Sequence, residues 1–246
     1  MSHHIIEIKN LEYAYPDGTK ALRGISFQIT HGESVAVVGA NGAGKSTLLM
    51  HLPGVLLPTK GEVRIGDFPV TKQTIPMIRR SVGMVFQNPD DQLFMPTVYD
   101  DVAFGPINLG LPVPEVEKKV AEALQTVGAG HLKEKAPYKL SGGEKRAVSI
   151  ACVLAMSPDI LVLDEPGAGL DPKARRRLID LLKGFLHTKI ISTHDLDMAF
   201  ELCERIIVLG EGKILADGAA RQIFEDELLL AKAHLEKPFC LRHVQK

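Results

Sequence analysis

Near the start of the chain, apolar and polar positions alternate over Ile5–Ile8 and again over Leu22–Ile29, and the turn Pro16-Asp17-Gly18 lies between them. A period of two predicts strands. Ser34–Val38 is a short apolar, β-branched run ending at a glycine. That pattern suits a central parallel strand buried on both faces. The helix-forming stretch Ser46–Leu52 follows at once, and Gly61–Ile65 and Ser81–Phe86 read as further strands.

The middle of the chain changes character. Residues 88–140 carry prolines at 89, 96, 106, 112, 114 and 137, together with a helical stretch, Glu115–Val127. Its apolar positions, Val116, Val120, Ala123, Leu124 and Val127, follow the 3.6-residue period. This predicts a mostly helical insertion in an α/β domain. Strand and helix then alternate: helix 144–156 before strand Ile160–Leu163, helix 173–186 before strand Lys189–Ser192, helix 195–203 before strand Arg205–Leu209. Such alternation implies a parallel sheet with helices on its faces. The last stretch, about 225–246, has a short amphipathic segment and a polar tail.

Composition narrows the function classes. The 246 residues are 45% hydrophobic and 24% charged, and Lys+Arg 29 against Asp+Glu 30 leaves a net charge of −1. A globular domain is expected, without the basic field that nucleic acid requires. Cys152, Cys203 and Cys240 are too few and too widely spaced for a disulfide framework or a zinc cluster, and fit a reducing compartment. No long apolar run predicts a membrane span, and the first residues lack the apolar core of a secretory signal. Two adjacent histidines, His3 and His4, read as solvated.

Against this background one segment stands out. Gly39-Ala40-Asn41-Gly42-Ala43-Gly44-Lys45-Ser46-Thr47 fits G-x-x-x-x-G-K-[ST] between a predicted strand and a predicted helix. Glycines let consecutive N–H groups turn toward one anion, and the helix N-terminus adds positive potential. Lys45 would reach the β- and γ-phosphates, and the Ser46 hydroxyl would ligate Mg²⁺. A partner carboxylate is expected at a neighbouring strand end. Ile160-Leu161-Val162-Leu163-Asp164-Glu165 supplies it, with Asp164 for Mg²⁺ and Glu165 to polarise water. Leu140-Ser141-Gly142-Gly143-Glu144 opens another predicted helix. Ser and Gly-Gly there could cap the helix or hold an anion. One nucleotide does not need two cradles, but a head-to-tail pair of subunits could use both.

These residues together resemble the ATP-binding-cassette (ABC) ATPase family over about residues 5–225. Gly39–Thr47 looks like the Walker A loop and Ile160–Glu165 like Walker B with its glutamate. Leu140, Ser141, Gly142, Gly143 and Glu144 look like the LSGGQ signature, with Glu144 in place of the common Gln. Gln87 looks like the Q-loop glutamine, a Mg²⁺ ligand in the family. Ala168-Gly169-Leu170-Asp171 looks like the D-loop. His194 looks like the H-loop histidine, and Tyr15 like the aromatic that stacks on adenine. By themselves, Tyr15 could be a strand aromatic packed on the core and His194 an ordinary strand-end histidine. Gly167 follows Pro166 where the family has Thr or Ser.

The resemblance implies a P-loop NTPase core with a parallel sheet flanked by helices, an N-terminal antiparallel β subdomain and an inserted helical subdomain. It implies one ATPase domain over 1–225, with the insertion at about 88–155, and a short C-terminal helical tail over 226–246. Gln87–Phe94 followed by Asp101–Pro106 is similar to ATPases of energy-coupling-factor (ECF) importers, especially the cobalt-type branch. Taken alone, Asp90-Asp91 reads as a solvated acidic turn. The ECF resemblance implies ATP and Mg²⁺ as cofactors and a homodimer or a pair with a paralogous ATPase. It also implies a transmembrane coupling protein and a substrate-binding membrane subunit as partners, at the cytoplasmic face of the membrane. A soluble mechanical or DNA-handling ABC ATPase is the alternative. Such proteins need a coiled coil, a second cassette or a basic surface, none of which the sequence has.

Overall fold

The computed structural model describes residues 4–242, so His3 lies outside the described residues and His4 is described only as backbone. In chain order the elements are β1 His4–Ala14, β2 Lys20–Thr30, β3 Ser34–Val38, α1 Lys45–His51, β4 Lys60–Ile65, β5 Phe68–Pro69 and α2 Ile75–Ser81. There follow β6 Val82–Val85, α3 Val98–Asn108, α4 Val113–Thr126, α5 Gly142–Leu154, β7 Ile160–Asp164 and α6 Pro172–Lys183. The chain ends with β8 Thr188–Ser192, α7 Leu196–Leu202, β9 Arg205–Gly210, β10 Lys213–Ala219, α8 Ala220–Glu225, α9 Glu227–Lys232 and α10 Phe239–Arg242. These elements fall into two compact units, one of residues 1–79 with 186–246 and one of residues 80–185.

In the first unit, β2, β1, β4 and β5 form an antiparallel sheet. Beside it, β3 pairs in parallel with both β8 and β9. Val35–Val38 are fully buried, as are Ile206–Leu209, which explains their unbroken apolar runs. At one edge, which the pattern did not predict, β10 lies antiparallel to β9. Its connection is Glu211-Gly212, with φ +48° and +75°. Two positive φ values make the tight turn whose twist suits a hairpin. Glu-Gly is a weaker sequence signal for that turn than Asn-Gly, which is why β10 escaped the pattern reading.

In the second unit, β6 and β7 pair in parallel, and α3, α4 and α5 share an apolar core of Val98, Val102, Val116, Val120, Leu124, Val148 and Ala151. Of the period-3.6 residues, Val116, Val120, Ala123 and Leu124 are the buried face of α4, and half-buried Val127 is its C-cap. Helix α3 begins at Thr97, whose hydroxyl accepts from Asp100 N at 3.1 Å, and it carries Pro106 in its last turn. That proline masked the helix from pattern reading. Helix α5 starts two residues earlier than the pattern predicts, because Ser141 and Glu144 form a capping box.

Candidate functional site

Strand β3 delivers the chain into the glycine-rich loop at a buried sheet end. A side chain at Gly39 would put its Cβ 2.3 Å from Leu209 O, and one at Gly44, with φ +102°, would meet Ala21 O at 2.7 Å. Only glycine allows neighbouring backbone to come this close. Gly44 caps α1 with no side-chain hydrogen bond, and no acidic residue stands in the first turn. Lys45 is buried and folds back over the loop, its Nζ donating to Gly39 O at 2.9 Å and Ala40 O at 3.2 Å. Asn41 and Gly42 are exposed at the tip, Ala43 and Thr47 are buried, and Ser46 is half-buried. The chemistry of the segment is a buried cation inside a backbone bend, suited to a phosphate chain.

Two further candidate residues belong to this unit. Tyr15 is half-buried, and its hydroxyl lies 2.9 Å from Thr47 Oγ1. The ring meets Tyr13 edge-on at 5.1 Å, and Tyr13 in turn packs edge-on against buried His51 at 4.9 Å. Tyr15 is therefore neither a core aromatic nor a freely exposed ring. His194 is exposed just beyond β8. Because Val37 pairs with Ser192 and Thr193 N donates to Val37 O, His194 leaves the sheet at the end where the loop begins.

The second unit holds the other candidates. Val85 pairs with Leu163, so Gln87 and the pair Asp164-Glu165 leave the same end of the β6–β7 ribbon. Gln87 is exposed, whereas Asp164 and Glu165 are 2% and 6% exposed. Glu165 has φ +45° although a proline follows it. Non-glycine residues adopt this conformation at a cost, and such strain gathers at functional positions. Asp171 caps α6 through Lys173 N and Ala174 N. Ser141 and Gly142 are exposed, and Gly143 and Glu144 half-buried. Glu144 Oε2 accepts from both Ser141 N and Ser141 Oγ at 2.8 Å, and these bonds hold its carboxyl below the ordinary range. Of the two expectations for Ser141, the structure shows the helix cap.

A match to the family model described as ABC transporter covers residues 22–168. The chain belongs to the ABC transporter family. An energy-coupling factor transporter ATP-binding protein, EcfA, of Methanocaldococcus jannaschii is 50% identical over 96% of this chain and 86% of its own. A Geobacter sulfurreducens protein, provisionally named an ABC transporter ATP-binding protein, is 67% identical over 98% and 97%. Among solved structures, CbiO1 of Clostridium perfringens, part of the complex CbiONQ, has a TM-score of 0.81 at 41% identity and 94% coverage of both chains. A dimeric cassette, MJ0796, bound to ADP and phosphate has a TM-score of 0.79 at 30% identity, covering 88% of this chain and 99% of its own. This ABC ATPase is thus the ATP-binding, ATP-hydrolysing subunit of a transporter with ECF-type relatives.

Motif reading missed three supporting residues of this ABC ATPase. Gly212, at the β9–β10 turn, donates its N–H to Ala43 O at 3.1 Å and braces the loop. His51 is fully buried, with Nδ1 2.7 Å from Thr47 O. Arg146 is buried in α5, donating to Phe86 O at 2.6 Å and Gln87 O at 2.5 Å. A signal for Arg146 was present: with Ser149, Ile150 and Val153 it lies on the buried face of α5, where a lone arginine must find acceptors. The cysteines are free thiols, and burial pushes Cys203 up to about 12, far from a nucleophile's range.

Proposed function

We propose that this chain binds Mg-ATP at the interface of a head-to-tail homodimer and powers uptake through membrane partners of the ECF type. The ATPase domain spans 1–225, with its helical subdomain at about 88–155 and a short tail over 226–246. Gly39–Thr47 cradle the phosphates, Lys45 neutralises their charge and Tyr15 stacks on adenine. Ser141, Gly142, Gly143 and Glu144 close over the γ-phosphate bound by the other subunit. Glu165 accepts a proton from water, while Gln87 and His194 fix the attack geometry at the γ-phosphate. Ser46, Gln87 and Asp164 offer hydroxyl, amide and carboxylate oxygens, the hard donors that Mg²⁺ prefers. The bound ion would neutralise charge on the phosphates.

The observation that supports both half-sites in one chain is a glycine-rich loop holding buried Lys45 together with a separate capped segment presenting Ser141. The likeness to EcfA and CbiO1 supports the membrane partners. Among the described residues no helix is long and apolar enough to cross a membrane, so transport requires such partners. We place the chain peripherally at the cytoplasmic face. The cargo is a transition-metal ion such as cobalt or nickel, or a vitamin.

The docking surface for those partners lies in the insertion. Phe94, Phe104 and Ile107 are exposed there, and the two rings meet edge-on at 5.1 Å. Asp101 Oδ1 accepts from Phe94 N and Met95 N at 3.0 Å, which fixes how Phe94 is presented. Purification from the native membrane tests the proposal. A transmembrane protein and a small membrane-embedded binding subunit should accompany the chain, and recovery as a soluble dimer alone would reject it.

A further inference from the structure

Within the second unit, residues 86–92 have little regular structure of their own, only a 3-10 turn over Pro89–Asp91. Their position comes from α5. Arg146, 3% exposed, donates one guanidinium nitrogen to Phe86 O and the other to Gln87 O. Its neighbour Lys145 pairs with Asp90 at 2.6 Å. Gln92 Nε2 donates to Ser149 O at 2.7 Å, and Gln92 Oε1 accepts from Phe86 N at 3.3 Å. Three side chains thus span the gap between a short irregular segment and a 13-residue helix. Charge-assisted bonds to carbonyls are short and directional, and buried carbonyls that lose a donor are costly.

We propose that Arg146 and Lys145 weld residues 86–92 to α5, so that Gln87 and Ser141 are displaced together as one body. Arg146 is a positioning residue for both. It fixes the Gln87 backbone from a point five residues beyond Ser141, the N-cap of the same helix. A load applied to 86–92 therefore reaches Ser141 through a rigid helix rather than through the Gln87 side chain. The proposal rests on the roles assigned above to Gln87 and Ser141, but not on the membrane partner or its cargo.

The test uses the full chain and a charge swap. Asp90→Lys and Lys145→Asp should each speed amide hydrogen exchange at Phe86, Asp91 and Gln92 by about two- to fivefold, the range of a partly exposed ion pair. The double variant should restore wild-type exchange. Arg146→Met should lower kcat for ATP by on the order of 10- to 100-fold, with ATP affinity unchanged, as displaced catalytic geometry does. Arg146→Lys, which keeps the cation, should recover part of that loss. Unchanged exchange in both single variants would overturn the weld. A wild-type kcat in Arg146→Met would overturn the positioning role, and so would loss of melting temperature and ATP affinity together in Arg146→Lys. Absence of a membrane partner would reject the transport reading without touching any of these outcomes.

Discussion

The hydroxyl of Tyr15 is hydrogen-bonded to Oγ1 of Thr47 at 2.9 Å, which ties the aromatic before the first turn to the helix that follows the phosphate loop. The ring proposed to carry adenine and the loop proposed to carry phosphates are thereby held at a fixed spacing. Tyr15→Phe keeps the ring and removes the tether. A neutral hydrogen bond contributes about 0.5–1.5 kcal/mol, so ATP affinity should fall by roughly 2- to 12-fold. Tyr15→Ala should fall further, and calorimetric titration with ATP distinguishes the two. Equal affinity for wild type and Tyr15→Ala would remove Tyr15 from the site.

Lys45 and Ser141 make complementary demands on a dimer. Lys45→Ala should abolish ATP binding by its own subunit, and Ser141→Arg should block closure over the other subunit's nucleotide. Each variant alone should be inactive. When the two are mixed, one of the two composite sites in each mixed dimer retains both partners, and hydrolysis should reappear. Persistent inactivity on mixing would count against a composite site.

Glu165 offers two separable measurements. Glu165→Gln should slow hydrolysis by about 10²-fold or more while ATP binding survives, because a positioned base contributes at least that much. Its left-handed backbone predicts a second effect. Neither Glu165→Ala nor Glu165→Gly has a carboxylate, but only glycine tolerates φ +45° without a Cβ penalty. Glu165→Gly should therefore unfold at higher denaturant than Glu165→Ala, by about 1 kcal/mol. The reverse order would mean that the backbone there is unstrained.

Phe94 should serve the membrane partner rather than the fold. It is 63% exposed, so Phe94→Ala should cost no more than about 0.5 kcal/mol of stability. Recovery of membrane subunits with the tagged chain should nevertheless fall severalfold. A large drop in melting temperature would identify the ring as a packing residue.

His51 links the same helix to pH. Burial pushes its imidazole below the ordinary range, opposed by backbone contacts at Thr47 and Leu57. In the window between the lowered folded value and the unfolded value of about 6.5, the unfolded chain binds the extra proton. Stability is then fully present above about pH 6.5 and declines as pH falls toward the folded value. His51→Gln should flatten that decline between pH 7 and 5 in denaturant titrations. Parallel curves for the two proteins would show that His51 does not titrate with unfolding.

The sequence alone determined the elements whose signals are local. Ser34–Val38 reads as a buried strand because four consecutive buried positions leave no room for polar residues. Gly39–Thr47 reads as a phosphate loop because the backbone conformation needs glycine at fixed places in the chain. Asp164-Glu165 can be read at a strand's end for the same local reason. Contacts between residues far apart in sequence were decided only by tertiary structure. Nothing near Arg146 in the chain names Phe86 and Gln87 as its acceptors, and nothing near Gly212 announces Ala43. The Asp90-Asp91 pair illustrates the difference. Two adjacent acids read as a solvated turn, and both are exposed in one, yet only the packing of α5 supplies the partner, bringing Lys145 within 2.6 Å of Asp90. Local rules fix backbone conformation because they act over a few bonds. Partners of buried or half-buried charges depend on which surfaces the apolar core brings together, and that is a property of the whole fold.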